Sequence, residues 1–210
     1  MRLKIDLTQG NKNVYFISDF HFFHDNVIRF DKRPFSNVHE MHNEIIKCWN
    51  ETVTKNDIVI YLGDLSFAKK KDENNVLDII NKLNGEIHFV LGNHDRIQDI
   101  KKTNRFSTIQ DYLELKLLHF DDESKIIETM FCCMHYPIYA WNKSHFGSIL
   151  VHGHCHGNLH HGESASFYTN RRAIDVGCML NAYKPMSYKE VIKKLDHIPL
   201  PKIKIREDEQ

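Results

Sequence analysis

Cys-x-x-Cys pairs are absent from this 210-residue sequence: its five cysteines are scattered, with only Cys132 and Cys133 adjacent. That excludes a structural zinc knuckle, and the odd count argues for reduced thiols over a disulfide framework. Net charge is absent too, with 28 Lys+Arg against 28 Asp+Glu. A protein that grips long nucleic acid by neutralising phosphates carries a basic surplus, so long nucleic acid is not an expected partner. No apolar run approaches the roughly 20 residues of a membrane span. The stretch Met1–Asn13 has no apolar centre of the kind a signal peptide carries. The expected setting is therefore the cytoplasm, away from membranes. Repeats and low-complexity tracts are also missing. The length fits one domain over residues 1–210, with 199–210 a proline-spaced, then charged, tail expected to fray.

Apolar runs rich in β-branched and aromatic residues are what the sequence has. Six read as strands: Val14–Ser18, Ile58–Leu62, Ile87–Leu91, Met130–Met134, Ile149–Val151 and Ala173–Val176. Most are continuously apolar, so they are expected to be covered on both faces. A hairpin is expected across Tyr112–Leu118 and Lys125–Glu128. Val38, Met41, Ile45, Trp49 and Val53 recur at helical spacing after Asn37 as cap, with Glu40 three residues on. Val76, Leu77, Ile79, Ile80 and Leu83 form a second helical face, with Gly85 placed to end it. Ser187-x-x-Glu190 opens a third helix. Strands and helices alternate early and strands crowd together late, which predicts a layered α/β sandwich.

Fifteen histidines are many for this length. Several fall in short motifs directly after strands: Asp19-Phe20-His21, Gly63-Asp64, Gly92-Asn93-His94-Asp95, His135 and Gly153-His154-Cys155-His156. In open α/β sheets ligands gather beyond the carboxyl ends of strands. Asp19, Asp64, Asn93, His135 and His154 follow five successive strands. Asp19 and His21 are two apart, as are His154 and His156. In extended chain each pair would face one way, with Cys155 facing the other. Imidazole, carboxylate and amide oxygen together suit zinc, iron or manganese and disfavour calcium. Asp64 could bridge two ions about 3.5–4 Å apart, an arrangement suited to phosphoester chemistry.

Taken together, Asp19-x-His21, Gly63-Asp64, Gly92-Asn93-His94-Asp95, His135 and Gly153-His154-x-His156 resemble the calcineurin-like metallophosphoesterases over nearly the whole chain. His21-Phe22 with His24, Arg33-Pro34-Phe35 and Ile174-Asp175-Val176-Gly177 resemble a compact bacterial and phage branch. The resemblance implies a four-layer αββα sandwich of mixed sheets with the metal site at the C-terminal strand ends. It implies one metal on Asp19, His21, Asp64 and His156, and a second on Asp64, Asn93, His135 and His154. Manganese is the expected occupant, with iron, zinc and nickel also suited. His94 would protonate the leaving group, and Asp95 would fix its tautomer. The implied activity is hydrolysis of a phosphodiester or small nucleotide phosphate by a metal-bound hydroxide. The alternatives are a phosphomonoesterase on small phosphates and, in another class, a non-catalytic metal-containing binding module. His24, Arg33, Arg96 and His152 are candidate substrate contacts, since cationic and imidazole groups suit phosphate oxygens. Tyr136, Tyr139 and Trp141 could stack a nucleobase. The sequence departs from the usual Gly-Asp-x-x-Asp, because Phe67 stands where the second aspartate would be. A full helix between His21 and Asp64 is expected to cover the site.

Overall fold

The computed structural model describes residues 1–69, 73–96, 100–101, 103–160, 162–168 and 170–200. The tail expected to fray lies outside them from residue 201 onward. Two five-stranded sheets pack face to face. The first contains β2 (Val14–Ile17), β3 (Ile58–Tyr61), β4 (Glu86–Val90) and β5 (Phe106–Gln110), all parallel. The short β10 (Met186–Ser187) closes its other edge antiparallel to β2. The second runs in the order β1 (Arg2–Asp6), β6 (Tyr112–Phe120), β7 (Ile126–Met134), β8 (Ile149–His152) and β9 (Ala173–Asp175). Within it β6 and β7 are antiparallel, and the other neighbours are parallel.

The apolar runs explain this packing. Along β3 the residues alternate between two cores. Ile58, Ile60 and Leu62 join Val14, Phe16, Leu113, Leu115, Leu117, Phe131 and Val151 between the sheets. Val59 and Tyr61 turn outward to meet α2 (Val38–Thr52) and α3 (Glu73–Ile80). Both faces of the strand are therefore dry, as a continuous apolar run requires. Trp49 of α2 is fully buried in the outer core, and its indole N–H donates to the Asn84 carbonyl at 3.0 Å. Truncating such a residue to alanine costs about 3–5 kcal/mol. Asn37 caps α2 by accepting from the Glu40 N–H. Ser187 and Glu190 form the reciprocal capping box of α4 (Tyr188–Lys194), whose Tyr188 and Val191 enter the inter-sheet core.

The α/β sandwich of mixed sheets is as expected, but among the described residues its fourth layer is not helical. Over the second sheet the outer cluster of Cys132, Leu150 and Ala173 is covered by Ile138, Trp141, Phe167 and Tyr168. Among the described residues these lie in loops and the 3-10 turn Gly162–Phe167. The expected hairpin forms between β6 and β7, but its second arm and the separately expected strand Met130–Met134 are one continuous β7. It pairs with β6 from Tyr112↔Met134 to Phe120↔Ile126. Its exposed first half and buried second half made one strand look like two. Edge strands β1 and β5 and the short helix α1 (Asp25–Phe30) had no apolar run to announce them. The long helix between His21 and Asp64 does not cover the site. Met41, Ile45 and Trp49 seat it on the outer face of the first sheet.

Candidate metal centre

The loops after β2 and β3 lie side by side and continue the sheet's pairing. The backbone N–H of Asp19 donates to the Gly63 carbonyl at 3.0 Å, that of His21 to Asp64 at 3.0 Å, and that of Phe22 to Leu65 at 2.9 Å. The loops after β7 and β8 approach from the other sheet. His135 Nδ1 donates to the Leu62 carbonyl at 2.7 Å, which turns Nε2 toward the loops. The His154 N–H reaches both Asp19 carboxylate oxygens, at 3.1 and 3.2 Å.

The backbone of these loops is not extended. Asp19, His21, Asp64, His154 and His156 all sit at positive φ, between 49° and 70°. Each paired motif does converge on one site, as expected from its spacing, but through left-handed turns. A non-glycine residue in that region costs about 1–2 kcal/mol, and such strain gathers at functional sites. Two glycines make the close approach possible. A Cβ on Gly63, at φ +86°, would meet the Gly92 backbone nitrogen at 2.5 Å and His135 Nδ1 at 2.8 Å. A Cβ on Gly153 would collide with the Ser18 hydroxyl and lie 2.6 Å from Asp19 Oδ2.

Two groups of side chains result. Asp19, His21 and His156 offer ligand atoms within 4.8 Å of one another, as do Asp64, His135 and His154. Asp64 Oδ2 stands between them, 3.6 Å from His21 Nε2 and 3.5 Å from His135 Nε2. Its other oxygen accepts the His94 backbone N–H at 2.9 Å. The Asn93 amide oxygen lies 3.0 Å from His135 Nε2. His21 Nε2 and His156 Nε2 are 3.2 Å apart.

Protonation follows from burial and charge. Burial pulls the His21 pKa down to about 4, against the pull of Asp19 and Asp64, leaving a neutral imidazole. Burial alone would raise the Asp64 carboxyl, but His135, the His94 N–H and His21 outweigh it and hold it near 2. Burial likewise opposes the ionised form of Asp19, and His156 and His135 overcome it, keeping the pKa below the ordinary carboxylate value. Two buried carboxylates thus stay ionised beside the neutral His21 ring. His21 Nδ1 is buried with no hydrogen-bond partner. This mixed nitrogen and oxygen donor set fits a transition-metal ion.

Asp31 is the site residue that sequence reasoning missed. It follows α1 and holds His156 Nδ1 at 2.8 and 2.9 Å. A carboxylate behind a ligand histidine fixes its tautomer and orientation. Its only signal was its place beside Lys32 and Arg33. Arg33 itself is corrected: it is buried, and no face of its guanidinium turns to a substrate. Its N–H groups donate to the carboxylate of Asp31 at 2.9 and 3.1 Å and to the carbonyls of Phe20 and Asp19 at 2.8 and 2.9 Å.

Asp95 is corrected as well. Its carboxylate accepts the backbone N–H groups of Asp64 (2.8 Å), Gly92 (2.8 Å) and Leu65 (3.0 Å), rather than the His94 ring. It clamps the loop that carries Asp64. Burial pushes its pKa up to about 6 against those three donors. His94 is 38% exposed on its side chain, with Nε2 3.9 Å from Asp64 Oδ2. His152 is fully buried, its Nδ1 on the Gly153 carbonyl and its Nε2 on the Tyr168 hydroxyl, so it does not line the opening. His24 stands near the mouth, its ring 5.9 Å from that of His21, and Arg96 is exposed beside His94. Tyr136 packs 4.7 Å from the His154 ring. Trp141 is tied to the Ser148 carbonyl at 3.1 Å, in the outer core. Arg171 covers the Tyr139 ring at 3.8 Å.

Comparison with known proteins agrees with this geometry. A family model described as calcineurin-like phosphoesterase matches residues 12–208. An uncharacterized protein of Methanocaldococcus jannaschii is 35% identical over 186 residues, covering 88% of this chain and 92% of its own. The Gene 66 protein of Mycobacterium phage D29 is 28% identical, covering 79% and 87% respectively. A solved structure of a protein of unknown function from Aquifex aeolicus superposes with a TM-score of 0.64 at 26% identity. That match covers 88% of this chain and all of the other.

Proposed function

Since the chain belongs to the calcineurin-like phosphoesterase family, we propose that it is a phosphodiesterase acting on a small nucleotide-type phosphate with two divalent metal ions. The observation that carries this reading is the position of Asp64. One of its carboxylate oxygens lies at nearly equal distances, 3.6 and 3.5 Å, from ring nitrogens of both ligand groups. Asp19, His21 and His156 would hold one ion, and Asn93, His135 and His154 the other, with Asp64 shared. Such a pair supplies a nucleophilic water at neutral pH and neutralises the phosphoryl oxygens. Manganese is the first metal to test.

The chain's own residues do the rest. Asn93 would set where a phosphoryl group rests, beside the ions that Asp19 and Asp64 would hold. His94, exposed at the rim beside Asp64, is placed to pass a proton to the departing oxygen. A new bond forms from the water oxygen to phosphorus, and the bond to the leaving oxygen breaks. That oxygen takes the proton from His94. The alkoxide leaving from an unactivated phosphate ester needs this proton. The five thiols are all unpaired, in keeping with a reducing cytoplasm.

A manganese-supplemented panel of phosphomonoesters, aryl phosphodiesters, cyclic nucleotides and dinucleotides tests the reading. Diesters should turn over faster. Monoesters turning over faster would replace this function with phosphomonoesterase activity, and no turnover of any kind would favour a metal-containing binding module. His94→Ala should bind metal normally and lose about 10²–10⁴-fold in turnover, the usual contribution of a proton donor. Asp64→Ala that still binds two ions would remove the shared-ligand assignment.

A further inference from the structure

Beside His94 a cavity of about 320 Å³ opens into the protein, at the lower end of the range for small-molecule pockets. Phe67, Ala68, Val76, Leu77, Ile80 and Ile100 give it apolar walls. His94, Lys69, Arg96 and Asp95 also line it, the Asp95 carboxylate being taken up by three backbone N–H groups. His94 is thus common to the cavity and to the ligand cluster, its ring 5.4 Å from that of His21. Phe67 is half exposed, its ring 5.2 Å from His94 and 4.5 Å from His24.

We propose that this cavity receives the leaving group of the substrate, and that the leaving group is a nucleotide: an aromatic base with an anionic phosphate. This rests on the hydrolytic reading of the centre and names its substrate class. If His94 gives its proton to the departing oxygen, the group attached to that oxygen must extend past His94, and the cavity lies there. Its apolar walls match the faces of a planar base and not a hydrated polyol. Its two cations match an anion, and an uncharged alcohol would leave both unpaired. Phe67 matters in particular. It stands where the Gly-Asp-x-x-Asp pattern has a carboxylate, so an anion-repelling group is replaced by a ring that can stack.

Two measurements on the full chain test the proposal. The first is calorimetric titration of adenosine 5′-monophosphate and adenosine into metal-free protein. The monophosphate should bind, and adenosine should bind more weakly. Leu77→Trp, which fills the cavity from α3, and Phe67→Ala should each weaken monophosphate binding at least tenfold. Their melting temperatures identify any variant that fails to fold, and Phe67, being half exposed, is the safer of the two. The second is the manganese-dependent kcat/KM. Leu77→Trp should lose at least tenfold on a 5′-phosphorylated diadenosine diester, whose departing group is adenosine 5′-monophosphate leaving through its 3′ oxygen, while a 4-nitrophenyl diester, whose departing ring is smaller and carries no phosphate, loses less. Equal losses on both substrates, or monophosphate binding that is absent or indifferent to both variants, would overturn the cavity assignment. Wild-type protein that binds the monophosphate but hydrolyses nothing would instead sink the hydrolytic reading.

Discussion

Asp31→Asn separates an orienting role for Asp31 from a purely structural one. The carboxylate receives two donors at once: His156 Nδ1 at 2.8 Å and the Arg33 guanidinium at 2.9 and 3.1 Å. An amide has a single acceptor oxygen. The Arg33 side chain is fully buried, so the oxygen is expected to remain on it. The amide NH2 then faces His156 Nδ1 and makes that nitrogen an acceptor. The imidazole proton moves to Nε2, the atom directed at His21 and Asp19, and must be displaced before a metal binds there. Losing such a partner costs about 10–100-fold in metal affinity, which is about 1.4–2.8 kcal/mol. The weakened Arg33 contact removes about a further 1–3 kcal/mol of fold stability, at about 2–4 °C of melting temperature per kcal/mol for a chain this long. Manganese titration by calorimetry and thermal denaturation of the metal-free variant read the two effects separately. Manganese affinity within twofold of wild type would refute the orienting role, even if the melting temperature fell.

Four other outcomes follow from the same geometry. Burial lowers the His156 pKa, but Asp19 and Asp31 raise it further, to about 10 from the ordinary 6.5. The stabilisation from that charge is complete below about pH 6.5 and lost as pH rises through about 10. Urea denaturation of chelator-treated protein should therefore show a decline over that window which His156→Gln lacks; parallel curves would contradict it. Because metal and proton compete at His156, manganese binding should strengthen with pH and release protons, measurable as a buffer-dependent heat; a buffer-independent heat would argue against it. Asp95→Ala strands three backbone N–H donors at about 1–3 kcal/mol each, so urea denaturation should show a loss of about 3 kcal/mol or more. A fall in turnover with stability intact would return Asp95 to a role through His94. Gly63→Ala combines a positive φ with a backbone collision, and should cost about 3 kcal/mol or more in chemical denaturation; a loss below about 1 kcal/mol would mean the loops adjust freely.

The central strands were legible because burial on both faces leaves a dense apolar signature. Ile58–Tyr61 reads as a strand on composition alone, and its four residues are all buried. The edges were not legible. Arg2–Asp6 fully buries only Ile5, half-buries Leu3 and exposes the other three, so its sequence resembles a loop. The split reading of β7 has the same cause, since Ile126–Glu128 is exposed and Phe131–Cys133 is buried within one continuous ladder. Residue type and order suffice to nominate ligands, because few other reasons place aspartate, asparagine and histidine after successive buried strands. They do not reveal what holds those ligands. Asp31 acts across 125 positions of sequence, and no local pattern encodes that.

Asp95 and Arg33 both differ from expectation, and for one reason. The resemblance implied that Asp95 serves His94, and charge suggested that Arg33 serves a phosphate. Each instead satisfies backbone groups of the ligand loops: Asp95 takes N–H groups around Asp64, and Arg33 donates to the carbonyls of Asp19 and Phe20. Those loops need such support. Five residues at positive φ, each disfavoured by about 1–2 kcal/mol, would relax toward ordinary turns if their peptide groups found partners in water. A half-buried carboxylate and a buried guanidinium deny them that choice, one by gathering donors and the other by gathering acceptors. Charged residues next to a metal motif are thus as readily explained by the backbone strain of the motif as by the substrate. The two roles separate on burial: Arg33 at 4% exposure serves the loops, while Arg96, exposed beside His94, remains available to a phosphate.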